Sequence, residues 1–324
     1  MYARRIVNIC LVGLVVAIML IMIMIFIIPY YVPLTFTGMF VPYEYTLVRN
    51  SAIINEYIGD EEEVFIPSSI LFHRVTELAG KEKSTTANGP FYKNEKVKKV
   101  TMPDTVITLS KDCFEECVNL EEVKLSSNLK SIERGCFNGC ISLKFITFPD
   151  GLEKIGSITF CRCESLKSIT LPDSILILDS VFINCTSLEE VIIPEQLTNI
   201  DGHSFLNTPW RDTIKEEFIT VGKNCLIGYN GTDKEVYVPD GVEYIGKEVF
   251  ENESIETLYI PKSVIQLDMS TFHNNKNLQY LILENDKIVL DGNIWENPNL
   301  TIIAPPGSTA EQYAIEHKIP YKQL

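Results

Sequence analysis

A phenylalanine returns at a nearly fixed interval through most of the chain. Phe91, Phe114, Phe137 and Phe160 stand 23 residues apart, Phe182 follows at 22 and Phe205 at 23. Phe250, Phe272 and Trp295 resume the series at intervals of 45, 22 and 23. Leu120, Leu143, Leu166, Leu188, Leu278 and Leu300 recur six residues after most of these rings, or five after Trp295. A unit of 22–23 residues is too short to bury a core alone. The units must stack, each supplying one layer of a shared interior.

Each unit contains one strand-like run: VTMP, VKLS, ITFP, ITLP, VIIP, VYVP and LYIP occur in order. Alternation over a few residues, closed by proline, marks a short strand ending in a turn. The rest of each unit, such as DGLEKIGSITFCRCESL, has Gly, Asp and Ser at turns and apolar anchors at Leu152, Ile155 and Phe160. Those anchors must point inward.

Two segments, CFEECVNLEEVKL from Cys113 and CFNGCISLKFITF from Cys136, each open with two cysteines four residues apart. Four such thiols could hold zinc. The period gives a simpler account. Cys117, Cys140, Cys163 and Cys185 all stand three residues after a ring. Cys113 and Cys136 precede the ring, where Thr159, Val181, Ser204 and Val249 stand in other units. Small or apolar residues suit an interior position, and a free cysteine behaves as a small hydrophobe. Cys161 in CRC reads as a surface neighbour of this column. A disulfide between Cys117 and Cys140 is geometrically allowed, because neighbouring strands lie ~4.8 Å apart.

The unit SLKSITLPDSILILDSVFINCTSLEEVIIP resembles the BspA-type leucine-rich repeat: a Leu, a strand ending in Ile-x-x-Pro, an Ile-Gly turn, Ala-Phe, Cys and the next Leu. The likeness runs from about Val64 to the C-terminus. Departures are the replaced Ala before the ring, Ser126 and Glu284 in place of Pro, Trp295 in place of Phe, and no Cys at that position near the C-terminus. The resemblance implies a leucine-rich repeat solenoid: a right-handed β/α superhelix with short parallel strands on its concave face and an irregular or short helical convex side. About nine repeats are expected on this pattern. It also implies a surface-exposed or secreted protein that adheres or binds proteins, without catalysis or cofactor.

A solenoid must cap its ends. At the front, YTLVRNSAIINEYIGDEEEVFIP reads as a hairpin leading into a degenerate first unit with a polar surface loop, AGKEKSTTANGP. At the back, GSTAEQYAIEHKIPYKQL starts with a Ser/Thr cap and places Ala310, Tyr313 and Ala314 at helical spacing. The interval of 45 between Phe205 and Phe250 contains EFITVG and CLIGYNG around KN, which reads as a β-hairpin insertion at about 207–235. Residues 51–306 are thus the solenoid, and 307–324 a capping helix and tail.

The N-terminus is different in kind. Residues 6–28, IVNICLVGLVVAIMLIMIMIFII, carry no charge and are apolar except for Asn8. About 20 such residues cross a bilayer, so one transmembrane helix is expected to precede the solenoid. Arg4 and Arg5 mark residues 1–5 as the cytoplasmic end, and residues 29–50, with Tyr30, Tyr31, Phe36, Phe40 and Tyr43, form a juxtamembrane linker. The expected location is the cell membrane, single-pass, with the repeats outside; the alternative is secretion after cleavage of a signal segment. From Glu44 onward the chain holds 26 Lys and Arg against all 43 acids, a formal balance of −17. Such a surface repels nucleic-acid phosphates and anionic lipid.

Catalytic patterns are lacking. His73, His203, His273 and His317 show no metal or triad spacing. Asn184, Asn230, Asn252 and Asn299 begin glycosylation sequons. A non-catalytic module binding a protein or cell-surface ligand remains, with a structural spacer at the cell surface as the second reading and an enzyme with an unrecognised site as the third. Along each strand, the residue after the central anchor should face outward. Those residues are Thr101, Lys124, Thr147 and Thr170, then Ile192, Tyr237, Tyr259, Ile282 and Ala304. The residue before the anchor adds Tyr280 and Ile302, interrupted by Glu190 and Glu235. Contiguous Tyr and Ile are enriched at interfaces. Ile192, Tyr237, Tyr259, Tyr280 and Ile282 are therefore the candidate partner-binding residues.

Overall fold

The computed structural model describes residues 19, 21, 22, 34–37, 42–80, 88–250, 254–272, 275–292, 297 and 299–324. Two columns of short strands run along the molecule. The first passes through Glu63–Phe65, Lys99–Thr101, Glu122–Lys124, Phe145–Ile146, Ser168–Thr170 and Glu190–Ile192. After the insertion it continues through Glu235–Tyr237, Thr257–Ile260, Tyr280–Leu283, Thr301–Ala304 and Tyr321–Gln323. The second starts at Ser51–Tyr57 and His73–Leu78, passes through pairs such as Ser131–Ile132 and Lys154–Ile155, and ends at Val289–Asp291. Most neighbouring strands within a column pair in parallel, as Lys99–Thr101 does with Glu122–Lys124, and the ladder is interrupted between Phe145–Ile146 and Ser168–Thr170 and between Lys154–Ile155 and Ile177–Leu178.

Each column holds eleven strands among the described residues, so the solenoid has about eleven turns rather than nine. The two extra layers lie at the ends, where the phenylalanine signal is absent. The side expected to be irregular or helical is instead a second strand column. Its apolar anchors, Leu109, Ile132 and Ile155 among them, are buried, and two residues per layer suffice to hydrogen-bond to the layers on either side.

The aromatic turns form a third stack. Phe114 N donates to Cys136 O at 2.7 Å and Phe137 N to Thr159 O at 2.9 Å, so each turn is bonded to the next. The rings follow the backbone: Phe91, Phe114, Phe137, Phe160, Phe182 and Phe205 stack with centroids 4.8–5.5 Å apart. Tyr57 joins this ladder, 5.0 Å from Phe91, although 34 residues separate them. Trp295 lies outside the described residues.

Cys117, Cys140, Cys163 and Cys185 form the predicted column, fully buried. Each thiol donates to the carbonyl of the ring residue one turn earlier, Cys117 to Phe91 at 2.8 Å and Cys140 to Phe114 at 3.1 Å. The eight described cysteines are free thiols. Burial pushes the Cys117 and Cys185 thiols up to about 12. Cys161 is partly exposed, as a surface neighbour should be.

Part of the expected linker, 29–50, belongs to the solenoid. Leu34–Thr37, Tyr43–Val48 and Ser51–Tyr57 form an antiparallel meander, and its last strand pairs in parallel with His73–Leu78. Tyr45, Leu47, Ala52 and Ile54 are fully buried and seal that end. At the far end, helix α2 (Thr309–His317) is capped by Ser308, whose Oγ accepts from Glu311 N at 3.2 Å. It buries Ala310, Tyr313 and Ala314 as predicted. The tail then adds a strand, Tyr321–Gln323, parallel to Thr301–Ala304. Most of 6–28 lies outside the described residues; Met19, Ile21 and Met22 are helical and exposed. Among the described residues no helix is long and apolar enough to cross a membrane.

The insertion starts with helix α1 (Pro209–Thr213) and continues into the predicted hairpin, Phe218–Val221 against Cys225–Tyr229. Its loop uses left-handed backbone at Gly222 and Asn224. The returning strand joins the second column by pairing with Tyr244–Ile245. The aromatic turns skip the insertion, and Gly202 N donates directly to Lys247 O at 2.7 Å. The first column has no strand there, so its sheet stops at Glu190–Ile192 and restarts at Glu235–Tyr237.

Candidate functional site

The outward row of the first column divides into two halves of different chemistry. Toward the N-terminus the layers are linked by ion pairs. Lys99 Nζ lies 3.6 Å from Glu63 and 3.9 Å from Glu122, Lys98 lies 2.9 Å from Glu62, and Lys144 lies 2.5 Å from Glu121. The Lys144 hydrogen bond lowers the Glu121 pKa, and the Glu62 hydrogen bond raises that of Lys98. Exposed pairs of this kind contribute little to stability.

Toward the C-terminus the same row is aromatic. Register aligns Tyr237 with Tyr259, Tyr259 with Ile282, and Ile282 with Ile303. The Tyr237 and Tyr259 rings stack 4.1 Å apart with planes 7° from parallel. Stacked along the layers, the pair turns its ring edges and hydroxyls outward. Tyr237 is 59% exposed and Tyr259 half-buried. A hydrogen bond with Tyr259 raises the Tyr237 pKa. Tyr280 stands one pleat away on the same face, 36% exposed, with Lys322 Nζ 5.4 Å from its ring centre.

Two of the five predicted residues behave differently. Ile282 is only 6% exposed. It points outward but sits at the base of the row between Tyr259 and Ile303, so it supports the surface rather than presenting it. Ile192 is 62% exposed but belongs to a separate two-stranded sheet, across the break made by the insertion. The structure thus groups Tyr237, Tyr259, Tyr280 and Ile282 and leaves Ile192 apart.

Ala304 and Ile302, expected to face outward, are buried. The register shows why: Leu281 pairs with Ile302, so Ile302 is the anchor and Ile303 the outward residue. A one-residue slip exchanges the two faces of a strand. The five-residue spacing between Trp295 and Leu300 was the available signal for it. The same face also carries Phe65 and Phe145, 70% and 51% exposed, which the sequence reading left out.

Each described histidine has a local partner. Nδ1 of His73 lies 2.9 Å from Leu71 O, that of His317 lies 3.0 Å from Tyr313 O, and that of His203 lies 2.5 Å from Glu248 Oε2. Among the described residues no group of three or more His, Cys, Asp or Glu is placed to hold a metal ion.

A leucine rich cell surface protein from Faecalibacterium prausnitzii A2-165 has a similar structure, with a TM-score of 0.50 at 22% identity over 84% of this chain and 76% of its own. The T. pallidum Leucine Rich Repeat protein scores 0.44 at 27% identity over 52% of this chain and 87% of its own. A leucine-rich repeat protein from Bacteroides ovatus ATCC 8483 scores 0.47 at 21% identity over 90% and 75%. No curated protein sequence matches the chain. The profile of the BspA type Leucine rich repeat region matches residues 84–211 and 211–317, in six copies. That span covers the ring ladder on both sides of the insertion, and on it the chain belongs to the BspA type leucine rich repeat family.

Proposed function

We propose that this protein is a non-catalytic binding module displayed at the cell surface, with Tyr237, Tyr259 and Tyr280 at the centre of a protein-binding face and Ile282 beneath them. The observation that carries this reading is the exposed, stacked tyrosine pair on a continuous five-stranded sheet. The exposed ring of Tyr237 packs into no core, and tyrosines on rigid strands offer large contact area at small entropic cost. Residues 6–28 serve as the anchor in this reading, with the acidic repeat region outside.

Replacing Tyr237 and Tyr259 together with Ser should leave the melting temperature within about 2 °C, in keeping with small effects at exposed sites. Capture of a surface partner by the repeat domain should fall at least tenfold, the scale of a binding hot spot. Ile192→Ser, across the break, should leave capture unchanged. Retained capture in the double variant would place the site elsewhere. The display reading is tested separately, by adding protease to intact cells. The repeats should be removed, and their protection would overturn the orientation.

A further inference from the structure

Where the aromatic turns skip the insertion, the wall of the solenoid has a notch. The turn carrying Phe205 and the turn carrying Phe250 meet at the Gly202–Lys247 hydrogen bond, while the chain between them detours through α1 and the hairpin. A cleft of about 580 Å³ results, lined by Leu206, Arg211, Ile214, Ile227, Gly228 and Val249 among others. Clefts that hold small ligands fall in the same size range, roughly 300–1,000 Å³.

Arg211 sets the chemistry of this cleft. It is the only arginine after Arg162 in the sequence. Its backbone N–H caps onto Thr208 Oγ1 at 3.2 Å, and among the described residues its guanidinium makes no hydrogen bond or ion pair. The group is half-buried, with its Nη2 end nearest Gly228. A β-carbon at 228 would sit 2.7 Å from Cζ and collide with Nη2, so only glycine leaves the guanidinium its seat. Burial lowers the Arg211 pKa and Asp212 raises it in part, but a guanidinium stays charged throughout.

The neighbouring charges leave it a cation to be matched. Glu248 is engaged with His203, and Lys215 Nζ donates to the Asp212 carbonyl at 2.5 Å. Among the described residues Asp212, next in sequence and exposed, and Glu248 are the acids on the cleft wall, and neither pairs with the guanidinium. The lining is mostly polar, and Leu206, Ile214, Ile227 and Val249 supply its apolar part. A planar fork of donors beside that apolar part fits a ligand with a planar anionic head and an apolar body.

We propose that this notch binds a carboxylate-bearing small molecule, with Arg211 receiving the carboxylate and the Leu206–Val249 wall covering the apolar body. The assignment is independent of the tyrosine face. Calorimetric titration of the full chain in detergent, with benzoate and inorganic phosphate as separate probes, tests it. Benzoate should bind saturably at one site. Arg211→Gln should weaken it at least tenfold, as expected for loss of a charge-assisted bidentate contact. Leu206→Glu, a change at an exposed rim position, should weaken it about threefold or more by like-charge repulsion, and it supplies the answer if Arg211→Gln does not fold. Absence of saturable benzoate binding, or equal binding by wild type and both variants, would overturn the site. Tighter binding of phosphate than benzoate, with the same dependence on Arg211, would overturn the carboxylate assignment.

Discussion

Asp201 stands inside the wall of the solenoid, 5% exposed. Its Oδ2 accepts from the Ser180 hydroxyl at 3.0 Å and from the Ser180 N–H, while Oδ1 is buried without a hydrogen-bond partner. Burial, with the Asp179 carboxyl beside it, pushes its pKa up to about 6 from an ordinary 3.8. The folded chain therefore binds this proton more tightly than the unfolded chain. Stability from the group is full below its ordinary value and is lost as pH rises through about 6. Asp201→Asn keeps an oxygen for Ser180 and removes the charge. It should raise the melting temperature at pH 8 by about 2–4 °C, the equivalent of ~1 kcal/mol in a chain of this kind. At pH 4 the gain should vanish. An equal gain at both pH values, or none at pH 8, would mean that Asp201 is ionised without penalty.

Four aromatic turns use left-handed backbone at two positions four residues apart: Asp112 and Glu116, Gly135 and Gly139, Ile158 and Arg162, Ser180 and Asn184. Gly135 and Gly139 adopt it without steric cost. Ile158, at φ 51°, is β-branched and half-buried, and such a residue is strained there by roughly 1–2 kcal/mol. Ile158→Gly should therefore raise the urea midpoint, with a net gain of about 1 kcal/mol after lost packing and chain entropy. A fall in the midpoint would show that the isoleucine contributes more by contact than it costs in backbone. The turn itself was legible in the sequence because Phe160 and Cys163 recur in register. Its backbone was not, because four different residue pairs fill the same two positions. The second strand column escaped for a related reason: pairs such as Ser131–Ile132 are too short to show alternation. In the tyrosine row, Tyr237 and Tyr259 were legible by counting from the strand anchor. The burial of Ile282 was not, because it depends on Tyr259 and Ile303 from adjacent layers. Nor was the Arg211 cleft, which exists only once the turns close over a gap of 45 residues.

At the scale of the molecule, the insertion divides the interior. One cluster of buried residues runs from Tyr43 to Ile227 and a second from Leu226 to Ala314, meeting at the hairpin strand Cys225–Tyr229. A repeat array gains its stability layer by layer, so a weak junction lets its parts unfold separately. Phe114→Ala should cost about 3–5 kcal/mol in the first part. Hydrogen exchange should then show lost protection over 99–170 and near-native protection over 235–304. Uniform loss across both parts would mean that the hairpin couples them tightly. The spacing of the rings carries a consequence for shape. Layers of paired strands advance ~4.8 Å each. The buried rings advance by 4.8–5.5 Å from Phe91 to Phe205, and by 6.4 Å between Phe250 and Phe272. On the first strand column, the Tyr237–Tyr259 step is 4.1 Å. At this step the layers are thus closer at the tyrosine row than at the aromatic turn, and a stack of layers that repeats such a difference bends into an arc. A bend of that sense sets the proposed tyrosine face on the inner radius, where a rounded partner would touch several layers at once and a flat one only the ends.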